Sequence, residues 1–560
     1  MNPRRPLAAV LVLAGAIAAA NWAAGGIPGG DASQIEESEV KAGEAIYLRG
    51  VLPSGAPLEG VRQGGGLDAK GAQGACVGCH QRSGLGSDEG SIKIPPIAGA
   101  YLFRPAGVGT DAPDLPYVAS MRIDRTPYTD ATFARAIREG VDSAGKPLSF
   151  LMPRFRLSDA DVRALIAYLG TLAPSRVPGV TATTLHFATI VTPDADPVKR
   201  KGMLDVLNNF FAEKNSFPFA PSPRFRTRGA GIYGKSMYRA NRRWKLQIWN
   251  LTGPAASWRA QLAADMAKDP VMAVISGLGR DDWAPIHDFC EQEHLPCLFP
   301  NVDVPVVAPG DFYSLYFSDG VLLEAGLIAK AIDGIDARGR VRSVLQIYRA
   351  GDSGVAAAAA LAKALKRMGI PVHGHALAAG RPGQGLAQAL RGASSADALV
   401  LWLRPADVAA LPGASAAPPN VFMSGLMGGL EGAPLPPTWR SRTLLAYPFD
   451  LPQRRIARVD FPLGWFSFLH IPVVAEAVQV NTYIACGVLA ETLNGMADNV
   501  DRDYLVEQLE DMLEHRYLTG YFPRLALAPG QSFASKGGYL VRFAAPKGTA
   551  LLADGGWTVP

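Results

Sequence analysis

The five residues Cys76-Val77-Gly78-Cys79-His80 constrain this chain more than any others, because they set two thiols three positions apart with an imidazole directly behind the second. That C-x-x-C-H spacing attaches a c-type haem: each thiol adds to one vinyl group of the porphyrin, and the adjoining histidine lies against the iron as its proximal ligand. Two other chemistries share part of the pattern. A zinc half-site wants a second Cys/His pair nearby, and a thioredoxin-like C-x-x-C wants a βαβ setting. Neither context surrounds Cys76 and Cys79. The motif therefore predicts one covalent haem c in an exported protein, since attachment of this type happens outside the cytoplasm.

A haem used for electron transfer needs a second axial ligand, and a thioether there raises the potential and keeps the iron six-coordinate. Met152 is the candidate, in Ser149-Phe150-Leu151-Met152-Pro153-Arg154, with a buried core methionine as the competing reading. Behind it Ser158 reads as a helix N-cap, and Val162, Leu165, Ile166 and Leu169 recur at helical spacing. Met121 is the rival within the segment, but neither a proline nor a terminal helix follows it. A loop methionine followed by a capped amphipathic helix resembles the end of a class I cytochrome c. The resemblance covers residues 40–172 and implies an all-α fold with His80 and Met152 as axial ligands. It also implies that Ile94-Pro95-Pro96-Ile97 orients His80 through a backbone carbonyl, and that residues 129–140, with Phe133 and Ile137, form the helix leading to the methionine loop. Arg82 and Arg104 could neutralise haem propionates or stand as ordinary exposed arginines.

The N-terminus agrees with export. Arg4 and Arg5 precede an apolar run from Leu7 to Ala20, and Ala18-Ala19-Ala20 offers a small-residue cleavage site, so residues 1–20 are read as a signal peptide and the mature protein is placed in the periplasm. If the segment stays uncleaved, apolar character continuing through Trp22 and Ala24 makes it a membrane anchor. No later stretch is long enough to span. The net charge of +5 suits an acidic redox partner. Without basic runs interleaved with aromatics, nucleic acid is excluded as a partner.

At 560 residues the chain needs further compact units beyond one small cytochrome. Two prolines and a glycine after Leu172 mark a linker at 173–183. Beyond it, strand and helix patterns alternate: strands at 184–191, 244–250, 271–276, 341–348, 372–376, 398–403 and 420–424, helices at 198–215, 255–268, 283–294, 321–332, 354–368 and, later, 480–493. Strands that are apolar throughout are buried on both faces, which predicts parallel sheets flanked by helices. The order, the run at 289–300, the segment Asp311-Phe312-Tyr313-Ser314-Leu315-Tyr316-Phe317-Ser318-Asp319, the loop Tyr348-Arg349-Ala350-Gly351-Asp352-Ser353-Gly354 and a late hairpin at 530–539 resemble the type I periplasmic binding proteins, the substrate-binding family for amino acids and related small molecules. The whole is thus read as multidomain: an all-α class I cytochrome c at 40–172 followed by an α/β bilobed domain at 184–560.

Open α/β sheets bind ligands beyond the carboxyl ends of their strands. By that rule the candidates are Ser276, Gly277, Tyr316, Asp319, Tyr348, Asp352 and Ser424. Ser276 and Gly277 could hold a carboxylate, and Asp319 or Asp352 an amine; each residue also has a plain turn or capping reading. In an oxidising compartment Cys290 and Cys297 are expected to form a disulfide, and Cys486, inside an apolar helix pattern, to be a small buried hydrophobe. Gly351-Asp352-Ser353-Gly354 echoes a serine-protease loop but sits between a strand and a helix, and His373 and His375 lack a third metal ligand, so neither marks a site. His/Met ligation leaves the iron no open position, so no independent catalytic site is expected. The chain is read as an electron carrier for a periplasmic dehydrogenase or other redox partner, with an attached small-molecule-binding or docking domain. The alternative is a sensor or delivery protein for an amino-acid-like ligand, in which the haem modulates redox state.

Overall fold

The computed structural model describes residues 29–63, 68–89, 92–103, 126–172, 176–216, 242–280, 282–336, 341–413, 418–455, 461–496, 499–514 and 519–560. The expected signal peptide, Met121 and Arg104 lie outside the described residues, as does part of the expected linker. The chain forms two compact units. One comprises residues up to Ala75 with Asp130–Val141 and Pro147–Leu169; the other comprises Cys76–Thr129, Asp142–Lys146 and Gly170–Pro560.

In the first unit, helices carry the core. Helix Gly29–Glu44 runs into a short wider turn, Ala45–Arg49, and buries Ile46 and Tyr47 there. Helix Asp159–Thr171 buries Val162, Leu165, Tyr168 and Leu169, and Tyr47 packs on Tyr168 with ring centroids 5.3 Å apart. The two helices approach at Gly43, where an added Cβ would lie 2.0 Å from the carbonyl oxygen of Ala164. Ser158 caps the second helix reciprocally: its Oγ accepts from Asp161 N–H at 3.2 Å, and the Asp161 carboxylate accepts from Ser158 N–H at 2.9 Å. Helix Asp130–Glu139 buries Phe133, Ala136 and Ile137. The unit is not helical throughout, because Glu59–Val61 pairs antiparallel with both Asp68–Lys70 and Arg154–Phe155.

The second unit contains two α/β layers. Strands β1 (Thr184–Val191), β2 (Arg243–Asn250), β3 (Ala273–Ile275), β4 (Cys297–Leu298) and β5 (Ser314–Leu315) form a parallel sheet in the order β5-β4-β3-β1-β2. After helix α1 (Gly320–Asp336), strands β6 (Val344–Arg349), β7 (Val372–Leu377), β8 (Ala398–Trp402), β9 (Asn420–Ser424) and β10 (Thr443–Tyr447) build a second parallel sheet. Its order is β7-β6-β8-β9-β10, extended antiparallel by β11 (Tyr539–Phe543) and β12 (Leu551–Ala553). β8 is buried at every position, as a strand covered by helices on both faces must be. His373 and His375 fall on β7, at the sheet edge.

Late in the chain, helices α2 (Glu476–Gly495) and α3 (Arg502–Glu514) return to the first sheet. Thr482 Oγ1 lies 3.0 Å from Ser276 Oγ, and the Arg502 guanidinium donates to the carbonyls of Val271, Glu293 and His294. Cys486 is fully buried within α2, and Cys290 and Cys297 are bonded across Cα atoms 6.2 Å apart. Several expectations move, the strand expected at 341–348 among them, which starts at Val344. The strand expected at 271–276 ends early because Ser276 takes φ 54°, outside the extended region. The hairpin expected at 530–539 is formed by β11 and β12 instead, because Ala534 and Ser535 donate their N–H groups to Tyr316 and Phe317.

Candidate haem-binding site

Cys76 starts the helical turn Val77–His80, and His80 N–H donates to Cys76 O at 2.9 Å, so the motif folds as one compact turn. His80 is buried, and its Nδ1 lies 3.1 Å from the carbonyl oxygen of Pro95. A carbonyl can only accept, so Nδ1 carries the hydrogen. Burial pushes the imidazole pKa down to about 4, so the ring is neutral at physiological pH and Nε2 keeps its lone pair. A neutral imidazole with the far nitrogen bare and the near one held by a carbonyl is the form that ligates iron. The residues therefore fit a haem. Burial also pushes the Cys76 thiol up to about 12.

The Pro95 carbonyl reaches His80 because two glycines let its segment close in. At Gly86, φ 88°, an added Cβ would sit 2.1 Å from the Ile94 oxygen; Ile97 N–H donates to Gly84 O at 2.7 Å. The turn is then anchored. Ser83 donates to the Glu507 carboxylate from both its N–H (2.8 Å) and its hydroxyl (2.6 Å), and Tyr101 donates to Asn499 Oδ1 at 2.8 Å. The Arg82 guanidinium lies 4.8 Å from the Phe312 ring centroid and 4.0 Å from the Asp503 carboxylate. Leu85 enters the main hydrophobic core beside residues of α2 and α3.

Met152 belongs to the other compact unit, in a turn where its N–H donates to Ser149 O at 3.2 Å and its carbonyl accepts from Arg154 Nη1 at 2.6 Å. Its side chain is half-buried.

The strand-end candidates are engaged within the chain. Ser276 Oγ accepts from Asn301 Nδ2 at 3.0 Å; Gly277 lies under the Trp283 ring, and the Tyr316 hydroxyl is 3.3 Å from His287 Nδ1. Asp352 receives Arg404 Nε at 2.9 Å and Nη2 at 2.6 Å; burial works to raise its carboxyl pKa, but Arg404 holds it below the ordinary value. The same guanidinium reaches Asp303 at 2.5 Å, so one arginine ties the segment after β4 to the ends of β6 and β8. Ser424 donates to the buried Glu324 carboxylate and accepts from Met427 N–H at 3.0 Å. Asp319 stands just before α1, its carboxyl pushed up to about 6 by burial. Tyr348, at the end of β6, is half-buried with its ring against Gly374. His287, Glu291 and Asp311 also converge, with ligand atoms within 4.8 Å of one another, but Glu291 already accepts the N–H groups of Phe312 and Tyr313. Arg404, Glu324 and Asp303 escaped sequence reasoning. Arg404 lies two residues beyond the end of β8, within reach of the strand-end rule.

Residues 69–173 match the family model described as Cytochrome c, less than a fifth of the chain. No curated protein matches the sequence. Among solved structures, the chain is similar to a fatty acid ABC transporter substrate-binding protein from Thermomonospora curvata, at 14% identity and TM-score 0.49, covering 68% of this chain and 94% of that one. A leucine-binding protein from Thermotoga maritima gives 12% identity and TM-score 0.47, covering 67% and 99%. A branched-chain amino acid ABC transporter protein from Thermus thermophilus, solved with bound valine, gives 9% and 0.48, covering 68% and 97%. The chain thus carries a segment that matches the cytochrome c family model together with two parallel α/β sheets. Among the described residues, no helix is long and apolar enough to cross a membrane.

Proposed function

We propose that this protein is a periplasmic electron-transfer cytochrome c in which one haem is attached through Cys76 and Cys79. His80 is its proximal ligand and Met152 its distal one, within a class I cytochrome segment at 40–172, followed by a linker at 173–183 and the bilobed domain at 184–560. A bound haem supplies reversible one-electron chemistry. The chain's own part is to fix ligand, tether and surroundings. The Pro95 carbonyl sets the His80 ring and its tautomer, Ser83 and Tyr101 pin the motif to α3 and its approach, and Leu85 closes the core beneath it. The observation that carries the reading is the His80–Pro95 contact at 3.1 Å, because it presents Nε2 as a lone pair directly behind two vinyl-reactive thiols.

The bilobed domain is read as a docking element for a periplasmic dehydrogenase or another redox partner. Asp352 and Ser424, which would meet a ligand's polar groups, are instead held by Arg404 and Glu324. The alternative, capture of an amino-acid-like ligand, requires those internal bonds to exchange. Calorimetry of the full chain against an amino-acid panel separates the two: no heat is expected, and saturable heat would favour the ligand-binding reading. The haem reading is tested by the absorption spectrum of the exported protein. A six-coordinate low-spin c-type spectrum is expected, with the far-red sulfur-to-iron band abolished in Met152→Ala. An unchanged band would remove Met152 as the ligand.

A further inference from the structure

We propose that Glu507 couples electron arrival at the haem site to proton uptake, acting as a positioning residue through Ser83. The inference rests on the reading that His80 ligates a haem. Ser83 follows His80 by three residues and is 1% exposed; Glu507 is 6% exposed and comes from α3, 424 positions later in the chain. Both donors of Ser83, N–H and hydroxyl, point at the two oxygens of this one carboxylate. A proton on Glu507 turns one oxygen from acceptor to donor, so the Ser83 hydroxyl must rotate away from it. Ser83 Oγ in turn accepts from Leu85 N–H at 3.2 Å. The protonation state of Glu507 is therefore written into the bonding of the turn that follows the haem ligand.

The surroundings make a proton the natural response to a change in charge. Asp501 and Asp503 precede Glu507 on the chain and add negative charge, Arg82 faces Asp503 from the haem-motif turn, Tyr313 donates to Asp503 at 2.6 Å from the segment crossing beneath, and the Arg502 guanidinium is committed to backbone carbonyls. Burial pushes the Glu507 carboxyl well above its ordinary value; the two Ser83 bonds pull it back, and the two aspartates raise it again. If a haem held by His80 took one electron from a redox partner, one positive charge near the turn would be lost. The Glu507 carboxylate then holds a proton more firmly, and an O–H bond forms with a proton drawn from solvent. By linkage, the midpoint potential must fall as pH rises through the window in which Glu507 titrates.

Spectroelectrochemical titration of the haem-loaded full chain over the neutral and alkaline range tests this. The wild type should show a potential that falls with pH. Glu507→Gln, nearly isosteric and unable to ionise, should lose at least half of that slope while its haem spectrum stays the same. Ser83→Ala, which removes one bond to the ionised form, should move the sloping region to higher pH. A Glu507→Gln slope equal to that of the wild type would overturn the proposal. If the variant does not fold, proton uptake on reduction of the wild type in weakly buffered solution decides: a measurable fraction of a proton per electron is expected, and none would overturn it. A wild type that binds no haem would refute the haem reading itself, a result recognisable from its spectrum before any titration.

Discussion

The haem-motif turn and the strand ends of the parallel α/β sheets are both polar, largely buried and built on tight backbone, yet they spend their polar groups in opposite ways. In the turn, His80 is held by one carbonyl at Nδ1, leaving Nε2 as a lone pair for a group from outside the chain. At the strand ends, Arg404 lies between Asp303 and Asp352, and Ser424 is bonded to Glu324. Internal pairing of this kind lowers the cost of burying charge, but any incoming ligand must first break it. The difference separates an imidazole with one nitrogen left bare from strand ends whose polar groups are paired within the chain.

Four changes would break or sharpen that contrast, in falling order of effect. His80→Ala removes the proposed proximal ligand, and the low-spin spectrum is expected to disappear while urea unfolding of the α/β sheets changes little; an unaltered spectrum would break the haem side of the contrast. Arg404→Ala leaves two half-buried carboxylates facing one another without their cation. It should cost about 3 kcal/mol in denaturant unfolding, since removing one partner of a buried pair strands the others. A loss within error of zero would mean that these strand ends are solvated and open to ligands.

Glu324→Gln acts through pH. Burial raises the Glu324 carboxyl from its ordinary value of 4.5 to about 8, so the folded state binds its proton more tightly than the unfolded chain. That contribution is fully present below 4.5 and is lost as pH rises through about 8. The wild type should therefore lose stability over this window, and the variant should lose less; parallel stability-pH curves would contradict the assignment. Tyr101→Phe removes the hydroxyl that donates to Asn499 and should cost about 1 kcal/mol with the haem spectrum unchanged.

Local patterns were the legible part of this protein. Strands 184–191 and 420–424 start and stop where their apolar runs do, because a strand covered on both faces is written in consecutive residues. The strand expected at 271–276 forms only over Ala273–Ile275, and its end falls before Ser276, whose left-handed φ leaves no mark in hydrophobicity. The same division runs through the candidate site. Cys76, Cys79 and His80 fall within five consecutive residues, so their spacing alone proposes them, while the Pro95 carbonyl follows from the resemblance to class I cytochromes c. Glu507 and Asn499 meet the turn only through tertiary packing across about four hundred residues, and no periodicity connects them to it. Arg404 is a similar case, since its meaning comes from Asp303 and Asp352, which are adjacent to it in space and not in sequence.

The most direct test of the central claim is mass spectrometry of the exported full-length protein after proteolysis. The peptide containing Cys76, Cys79 and His80 should carry the added mass of one haem, retained under denaturing conditions. The same peptide recovered with two unmodified thiols, from cells able to attach haem to other cytochromes, would contradict the account.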